Sequence, residues 1–225
     1  MKYSIIIPCY KEDEEIFRRC LDSIKNQTLQ PYEVICIDDC SPIETPKIAK
    51  EYGFKYIRHE KNLNNGGARN TGIRNATGDY LVFVNADDYL TPEALEEIDK
   101  ANKGQDLILI GFRAFGTWNE EFIPSEETTP YYTKLGWNGE PLHIVNRKFI
   151  IDNNLYEIEN VIYADIDWST RVENTQKSYT YVPKTLYQIN SGLDNSLTTK
   201  VMKGEIEGSE VLPNVQFEKN YFLSK

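Results

Sequence analysis

The chain has 225 residues, of which 40% are hydrophobic and 27% charged, an ordinary globular mix that suits one domain, or one domain with an embellished end. A formal charge of −10 argues against wholesale binding of nucleic acid, which needs a basic face, and means that an anionic small ligand needs local help from an arginine, helix N-termini or a divalent cation. The apolar runs Ser4 to Cys9 and Leu81 to Val84 are far too short to span a bilayer, and "MKYSIIIPCY" has no small-residue cleavage site, so it reads as a first strand and not a signal peptide. The expected location is cytoplasmic, at most peripheral to a membrane.

In chain order, "YSIIIPCY" is an apolar strand, and Glu12 to Gln27 carries Ile16, Phe17, Cys20, Leu21 and Ile24 at helical spacing. "EVICIDD" is a second strand ending in acids. Thr45-Pro46 offers a cap and a first-turn proline, with Gly53 as a stop. "KYIRHE" is a short third strand, "GGARNTGIRNATG" a helix opened and closed by glycine, and "DYLVFVNADD" a fourth strand. Thr91-Pro92 begins another helix with Ala94, Leu95 and Ile98 on one face, and "DLILIGFRAF" is a fifth strand. From about Gly116 the pattern is less regular: "NRKFIIDNN" and "DIDWSTRVEN" read as helical and "SYTYVP" as a short strand.

Strands separated by helices of this length predict an α/β fold, a doubly wound, mostly parallel sheet in one domain. Residues 1–115 form its ligand-binding half and 116–225 the other wall of the cleft. Ligands of such sheets bind beyond the carboxyl ends of the strands. Three strands end in polar clusters, Pro8-Cys9-Tyr10, Asp38-Asp39-Cys40-Ser41 and Asn85-Ala86-Asp87-Asp88, and parallel pairing places all three on one edge. Each alone is compatible with turn chemistry; their shared position argues for a site.

Asp87 and Asp88 are hard oxygen ligands of the kind that Mg²⁺ or Mn²⁺ takes alongside phosphate oxygens and water, and the plainer alternative is that Asp88 or Thr91 caps the following helix. In "NNGGARN" the glycines either turn backbone donors towards a phosphate or permit tight packing, and Arg69 offers a guanidinium fork. Asp38-Asp39 is suited to a base or ribose and Tyr10 to stacking, or else to an Asx turn and a half-buried aromatic. Asp165 is either a helix cap or a general base that takes a proton from an attacking hydroxyl. Cys9, Cys20, Cys36 and Cys40 match no zinc spacing and read as buried reduced thiols, and His59 and His143 stand alone.

The segments "SIIIPCYKEDEEIFRRCLDSIKNQT", "EVICIDDCS", "NNGGARNTGIRNATGDYLVFVNADDYLTPEAL", "DIDWSTRV" and "YVPKTLYQINSGLDNSLT", in this order, resemble the family 2 glycosyltransferases of the GT-A fold. The resemblance is strong over residues 3 to about 100 and looser to about Thr198. It implies a nucleotide-diphospho-sugar donor, most commonly of uridine, inversion at the anomeric carbon, and a glycan, lipid-linked or protein acceptor. By the same resemblance Pro8, Tyr10 and Asp39 border the base, Arg69 lies near the diphosphate, and Asn85, Ala86 and Asp87 occupy the family's Asp-x-Asp element. Asp87 would then ligate Mn²⁺ or Mg²⁺, and Asp165 would be the base. Two positions depart from the pattern: Asn85 replaces the first Asp, and Ala164 replaces the Glu expected before Asp165. They raise the alternative of a catalytically impaired nucleotide-sugar-binding homologue. The Gln-x-x-Arg-Trp motif of processive members is not found, which implies single addition. A sugar nucleotidyltransferase, by contrast, places a Gly-rich loop after the first strand, where this chain has "PCYKEDEE". Trp118, Trp137, Trp168, Tyr131 and Tyr132 are candidates for stacking on sugar rings or for the core.

Overall fold

The structure is a computed structural model, and it describes residues 1–116, 119–127, 139–161 and 164–191. Strand β1 (Tyr3–Cys9) is buried along its whole length and leads to α1 (Glu14–Lys25), where the Asp13 carboxylate caps the helix by accepting from the backbone N–H groups of Glu15 and Ile16. The expected helical face is the buried one: Phe17, Cys20, Leu21 and Ile24. β2 (Glu33–Asp38), a 3₁₀ turn over Thr45–Lys50 with Pro46 near its start, and β3 (Lys55–Arg58) follow. Next come α2 (Asn64–Asn75), β4 (Tyr80–Phe83), the two-residue β5 (Tyr89–Leu90) and α3 (Ala94–Ala101).

The remaining described elements are β6 (Leu107–Gly116), β7 (Glu121–Phe122), β8 (His143–Asn146), α4 (Arg147–Asp152), α5 (Ala164–Thr175) and β9 (Tyr179–Ser191). Among the described residues one sheet runs in the order β3-β2-β1-β4-β8-β6-β9-β5, with β7 paired to β6. Its first four strands are parallel, as expected. Beyond them the sheet is mixed. β8, where the sequence reading placed no strand, inserts antiparallel between β4 and β6. His143-Ile144-Val145 is short and β-rich, and Asn146 ends it by accepting from Phe149 N at 3.1 Å to cap α4, so the strand-to-helix change falls on one residue.

β9, expected as a short strand, runs 13 residues beside β6. Pro183 reads as a strand breaker in sequence, but the pairing absorbs it in a bulge between Ile110 and Phe112. Gly111 is required there, because a Cβ would meet Lys184 O at 2.7 Å.

Helix α2 is the element that most positions the site. It has almost no apolar stripe, yet Gly66, Gly67, Ala68, Gly72 and Ile73 are all buried. A Cβ on Gly72 would collide with the Ile6 side chain of β1 and lie 3.2 Å from Ile37 Cδ1 of β2. The helix therefore rests with its backbone almost directly on the sheet. Gly72→Ala should cost about 1–3 kcal/mol through overpacking, read as a lower midpoint in urea unfolding at unchanged slope; an unaltered midpoint would mean that the Ile6 rotamer yields freely.

A candidate nucleotide-sugar site at the strand ends

The parallel register sets Cys9 beside Asp38, and Val84 N donates to Ile6 O, so the three polar clusters do share one edge. Pro8 is buried within β1. Tyr10 is 40% exposed at its end, with Lys11 Nζ 5.2 Å from the ring centroid. The ring thus stands at the strand edge, partly open to solvent and with the Lys11 ammonium beside it.

The two acids after β2 divide their work. Asp38 is fully buried and consumed by structure, accepting from Ser41 N at 2.7 Å and from Tyr56 and Arg58. It is the Asx-type anchor of its loop. Asp39, 3% exposed, accepts from Leu63 N at 2.9 Å and pairs with His59 Nδ1 at 2.7 Å, while His59 Nε2 meets Thr71 Oγ1 at 2.9 Å. Asp39 therefore fastens the start of α2, and His59, isolated in sequence, is tied to it in space. The glycines of "NNGGARN" lie inside the first turns of α2, buried, so they serve close packing.

Arg69 is 3% exposed and does not present an open fork. Its Nη2 donates to Asn85 Oδ1 at 2.9 Å and its Nη1 to Glu157 Oε2 at 3.3 Å. Asn85 sits between two partners, since its Nδ2 donates to Asp88 Oδ2 at 3.3 Å. Asp88 does not cap α3. It is buried and reaches across to β9, accepting from Tyr187 Oη at 2.8 Å and from Asn190 N at 2.8 Å. Burial, then repulsion from Asp87, pushes the Asp88 carboxyl well above its usual range, and the Asn85 amide works against that.

Asp87 is flanked by two cations. Arg19 of α1 donates to Asp87 O at 3.2 Å and packs its guanidinium 4.8 Å from the Tyr89 ring and 5.4 Å from Phe115. Burial raises the Asp87 carboxyl, opposed by its own backbone N–H and by Arg19 and Arg69. Glu12, in the loop after β1, was not singled out by sequence; burial and then Asp87 push it up to about 8, against a hydrogen bond from Tyr10 N. Acids raised together by burial and mutual repulsion are groups whose charged forms a nearby cation would favour. Among the described residues no group of three side chains suffices to hold a metal, so Asp87 would need diphosphate oxygens and water as further ligands, the usual arrangement for Mg²⁺. The residues present fit that role.

Asp165 lies in the first turn of α5, and its charge acts on Glu157, which links it through Arg69 to the Asn85–Asp87 edge. Ala164 is buried against α2, its Cβ 3.4 Å from where a Gly66 Cβ would stand. Glu157, like Glu12, is an acid that sequence reading missed. No local motif marks it, because its neighbours come from residues 69–70 and from α5.

Trp168 is core, not a sugar platform: it is fully buried, donates to Leu155 O at 2.9 Å and meets Phe83 edge-on. His143 is buried between Gly139 O and Glu173. Cys9, Cys20 and Cys36 are buried free thiols, as expected, whereas Cys40 is free but only partly buried. Trp118, Trp137, Tyr131 and Tyr132 lie outside the described residues.

This edge lies beyond the carboxyl ends of the parallel strands β1, β2 and β4, where ligands of open α/β sheets bind. The profile of glycosyl transferase family 2 matches residues 4–157, and the chain belongs to that family. It is 31% identical over 211 residues to the uncharacterized glycosyltransferase YibD of Escherichia coli, covering 83% of this chain and 60% of the relative. It is 30% identical over 183 residues to the poly(ribitol-phosphate) beta-N-acetylglucosaminyltransferase TarS of Staphylococcus aureus, covering 73% of this chain and 31% of that protein. The chain thus spans less than two thirds of the length of either. Among solved structures, residues 1–349 of S. aureus TarS in complex with UDP-GlcNAc superpose with a TM-score of 0.73 at 23% identity, covering 86% of this chain and 59% of that one. The mannosyltransferase PcManGT of Pyrobaculum calidifontis, in complex with GDP-Man and Mn²⁺, gives 0.62 at 17%, covering 83% and 56%. Both likenesses establish the GT-A fold. Among the described residues no helix is long and apolar enough to cross a membrane.

Proposed function

We propose that the chain is an inverting, non-processive glycosyltransferase that moves a sugar from a nucleoside-diphospho-sugar, with uridine as the favoured base, to an acceptor hydroxyl. The observation that carries the reading is the convergence at one sheet edge of an exposed Tyr10, the Asp39 anchor, the Asn85-Ala86-Asp87 turn and the Arg69–Glu157 pair beside Asp165. Pro8 and Tyr10 border the base, and Asp39 fixes the wall of that pocket. Arg69 lends positive charge to the diphosphate side through its place beside Asn85. Asp165 takes the proton as the acceptor oxygen attacks the anomeric carbon from the face opposite the leaving group. A divalent cation, Mn²⁺ or Mg²⁺, held by Asp87 would offset charge on the departing nucleoside diphosphate. The acceptor is a glycan, a lipid-linked sugar or a protein.

The test is a thermal-shift and donor-hydrolysis panel of nucleotide sugars with and without Mn²⁺. A raised midpoint with one donor and release of its nucleoside diphosphate support the reading. Binding without hydrolysis or transfer across a range of acceptors would instead make the chain a non-catalytic nucleotide-sugar-binding homologue.

Asn85 bears on that choice. Its amide accepts from Arg69 and donates to buried Asp88, so Asn85→Asp removes the donor and sets a second carboxylate against Asp88. The substitution should lower stability by about 1–3 kcal/mol, measured by urea unfolding, without strengthening Mn²⁺ dependence. Increased activity at unchanged stability would show instead that Asn85 is a weakened form of the family's Asp.

A further inference from the structure

One buried hydroxyl joins the two ends of the acid turn. Tyr187 of β9 is 1% exposed, and its Oη accepts from Asn85 N at 3.0 Å and donates to Asp88 Oδ2 at 2.8 Å. A phenol has one proton to give, so that proton is committed to the carboxylate. Tyr187 stands opposite Leu90 in the β5–β9 pairing, so the strand that continues the turn also seats the phenol. The other bonds at the turn hold its frame as well. Asp88 N donates to Asn85 O at 3.1 Å, Asn190 N to Asp88 Oδ1 at 2.8 Å and Arg19 Nη2 to Asp87 O at 3.2 Å. Among the described residues, none besides Asp87 itself donates a hydrogen bond to the Asp87 carboxylate. Burial alternates along the turn, with Ala86 and Asp88 buried and Asn85 and Asp87 only partly so. Anchoring Asp88 inward therefore sets Asp87 on the opposite face, the one nearer solvent.

Resting on the transferase reading above and its cation at Asp87, we propose that Tyr187 is a positioning residue for that ligand: its hydroxyl ties Asn85 to Asp88 and so holds the Asp87 carboxylate in place before a cation arrives. A carboxylate fixed in advance loses less freedom when it takes up a cation. Tyr187→Phe keeps the ring in the core and removes only the oxygen that the two ends of the turn share. It leaves Asn85 N without its acceptor and Asp88 without one of its donors. Removing such an outer support typically costs 10–100-fold in metal affinity, even though the ligand itself is untouched.

The test is calorimetric titration of the full chain with UDP and with GDP, each with and without Mn²⁺, which gives the factor by which Mn²⁺ tightens nucleotide binding. Tyr187→Phe should lower that factor about tenfold and leave the Mn²⁺-free affinity within about twofold of wild type. Asp88→Asn should lower it similarly, because its amide must set an N–H against either Tyr187 or Asn190 N. Val182→Ala, at a buried position of β9 paired with Ile110, should lower the melting temperature and leave the factor unchanged. In transfer, Tyr187→Phe should raise the Mn²⁺ concentration for half-maximal rate about tenfold, with kcat at saturating Mn²⁺ within about threefold of wild type. An unchanged factor in folded Tyr187→Phe and Asp88→Asn overturns the proposal. So does an equal loss of affinity with and without Mn²⁺, an equal fall of the factor in Val182→Ala, or failure of both turn variants to fold, each of which would mark a structural tie. A wild type whose binding of either nucleotide does not respond to Mn²⁺ removes the proposal together with the cation at Asp87. A wild type that responds to Mn²⁺ yet transfers no sugar defeats the transferase reading alone, and the binding factors still decide the role of Tyr187.

Discussion

Asp165→Asn is expected to lower the rate of sugar transfer by about 10²–10⁴-fold, the range of a lost general base. Asn has nearly the shape of Asp and keeps one acceptor oxygen, so the first turn of α5 should persist, and donor affinity should stay within about threefold because the donor side is built from other elements. The combination is diagnostic. A side chain used only to begin a helix would affect stability and leave kcat alone, whereas a base affects kcat with donor KM preserved. Transfer that survives the substitution would remove Asp165 from the chemistry and direct the search to another carboxylate near Arg69, of which Glu157 is the nearest described.

Asp87→Ala should abolish stimulation by Mn²⁺ or Mg²⁺ and reduce transfer by about 10²-fold or more, the scale on which loss of charge stabilisation at a leaving group is felt. It should also raise the thermal midpoint of the ligand-free chain. In the absence of a cation Asp87 is a carboxylate raised by burial, and it adds repulsion to both Asp88 and Glu12. Opposite signs in stability and activity are the pattern of a residue kept for binding and not for folding. A variant that loses stability and retains cation-stimulated transfer would show that Asp87 holds the turn and that any cation sits elsewhere. The measurement is a thermal melt with nucleoside diphosphate, with and without Mn²⁺, alongside the transfer assay.

The parallel half of the sheet was legible because three of its four strands, β1, β2 and β4, are apolar runs followed by a polar cluster, and because α1 carries its apolar residues at strict helical spacing. Helix α2 was found from its flanking glycines, though its packing is set by missing Cβ atoms and not by an apolar stripe. The mixed half was harder. β8 is four residues long and passes directly into α4, and Pro183 concealed the true length of β9. Within the site, Tyr10, Asp39 and the Asn85–Asp87 turn were visible as strand ends. The partners that define them were not. Arg69 to Glu157, Asp88 to Asn190 and Asp87 to Arg19 join residues 68 to 102 positions apart. Such pairings follow from the closed fold, and no local pattern encodes them.

The bond from Asn190 N to Asp88, and that from Tyr187, span 102 and 99 positions of the chain. The acid turn at the end of β4 is therefore completed only when the last described strand has docked against β6. The division near residue 115 expected from the sequence is not a seam along which the protein can be cut. Excised at that point, the first half would lose the two β9 donors that hold Asp88 and leave the acid turn uncovered on that side. The first half is not a transplantable cassette, and recombination between relatives would have to exchange the acid turn and the last described strand together.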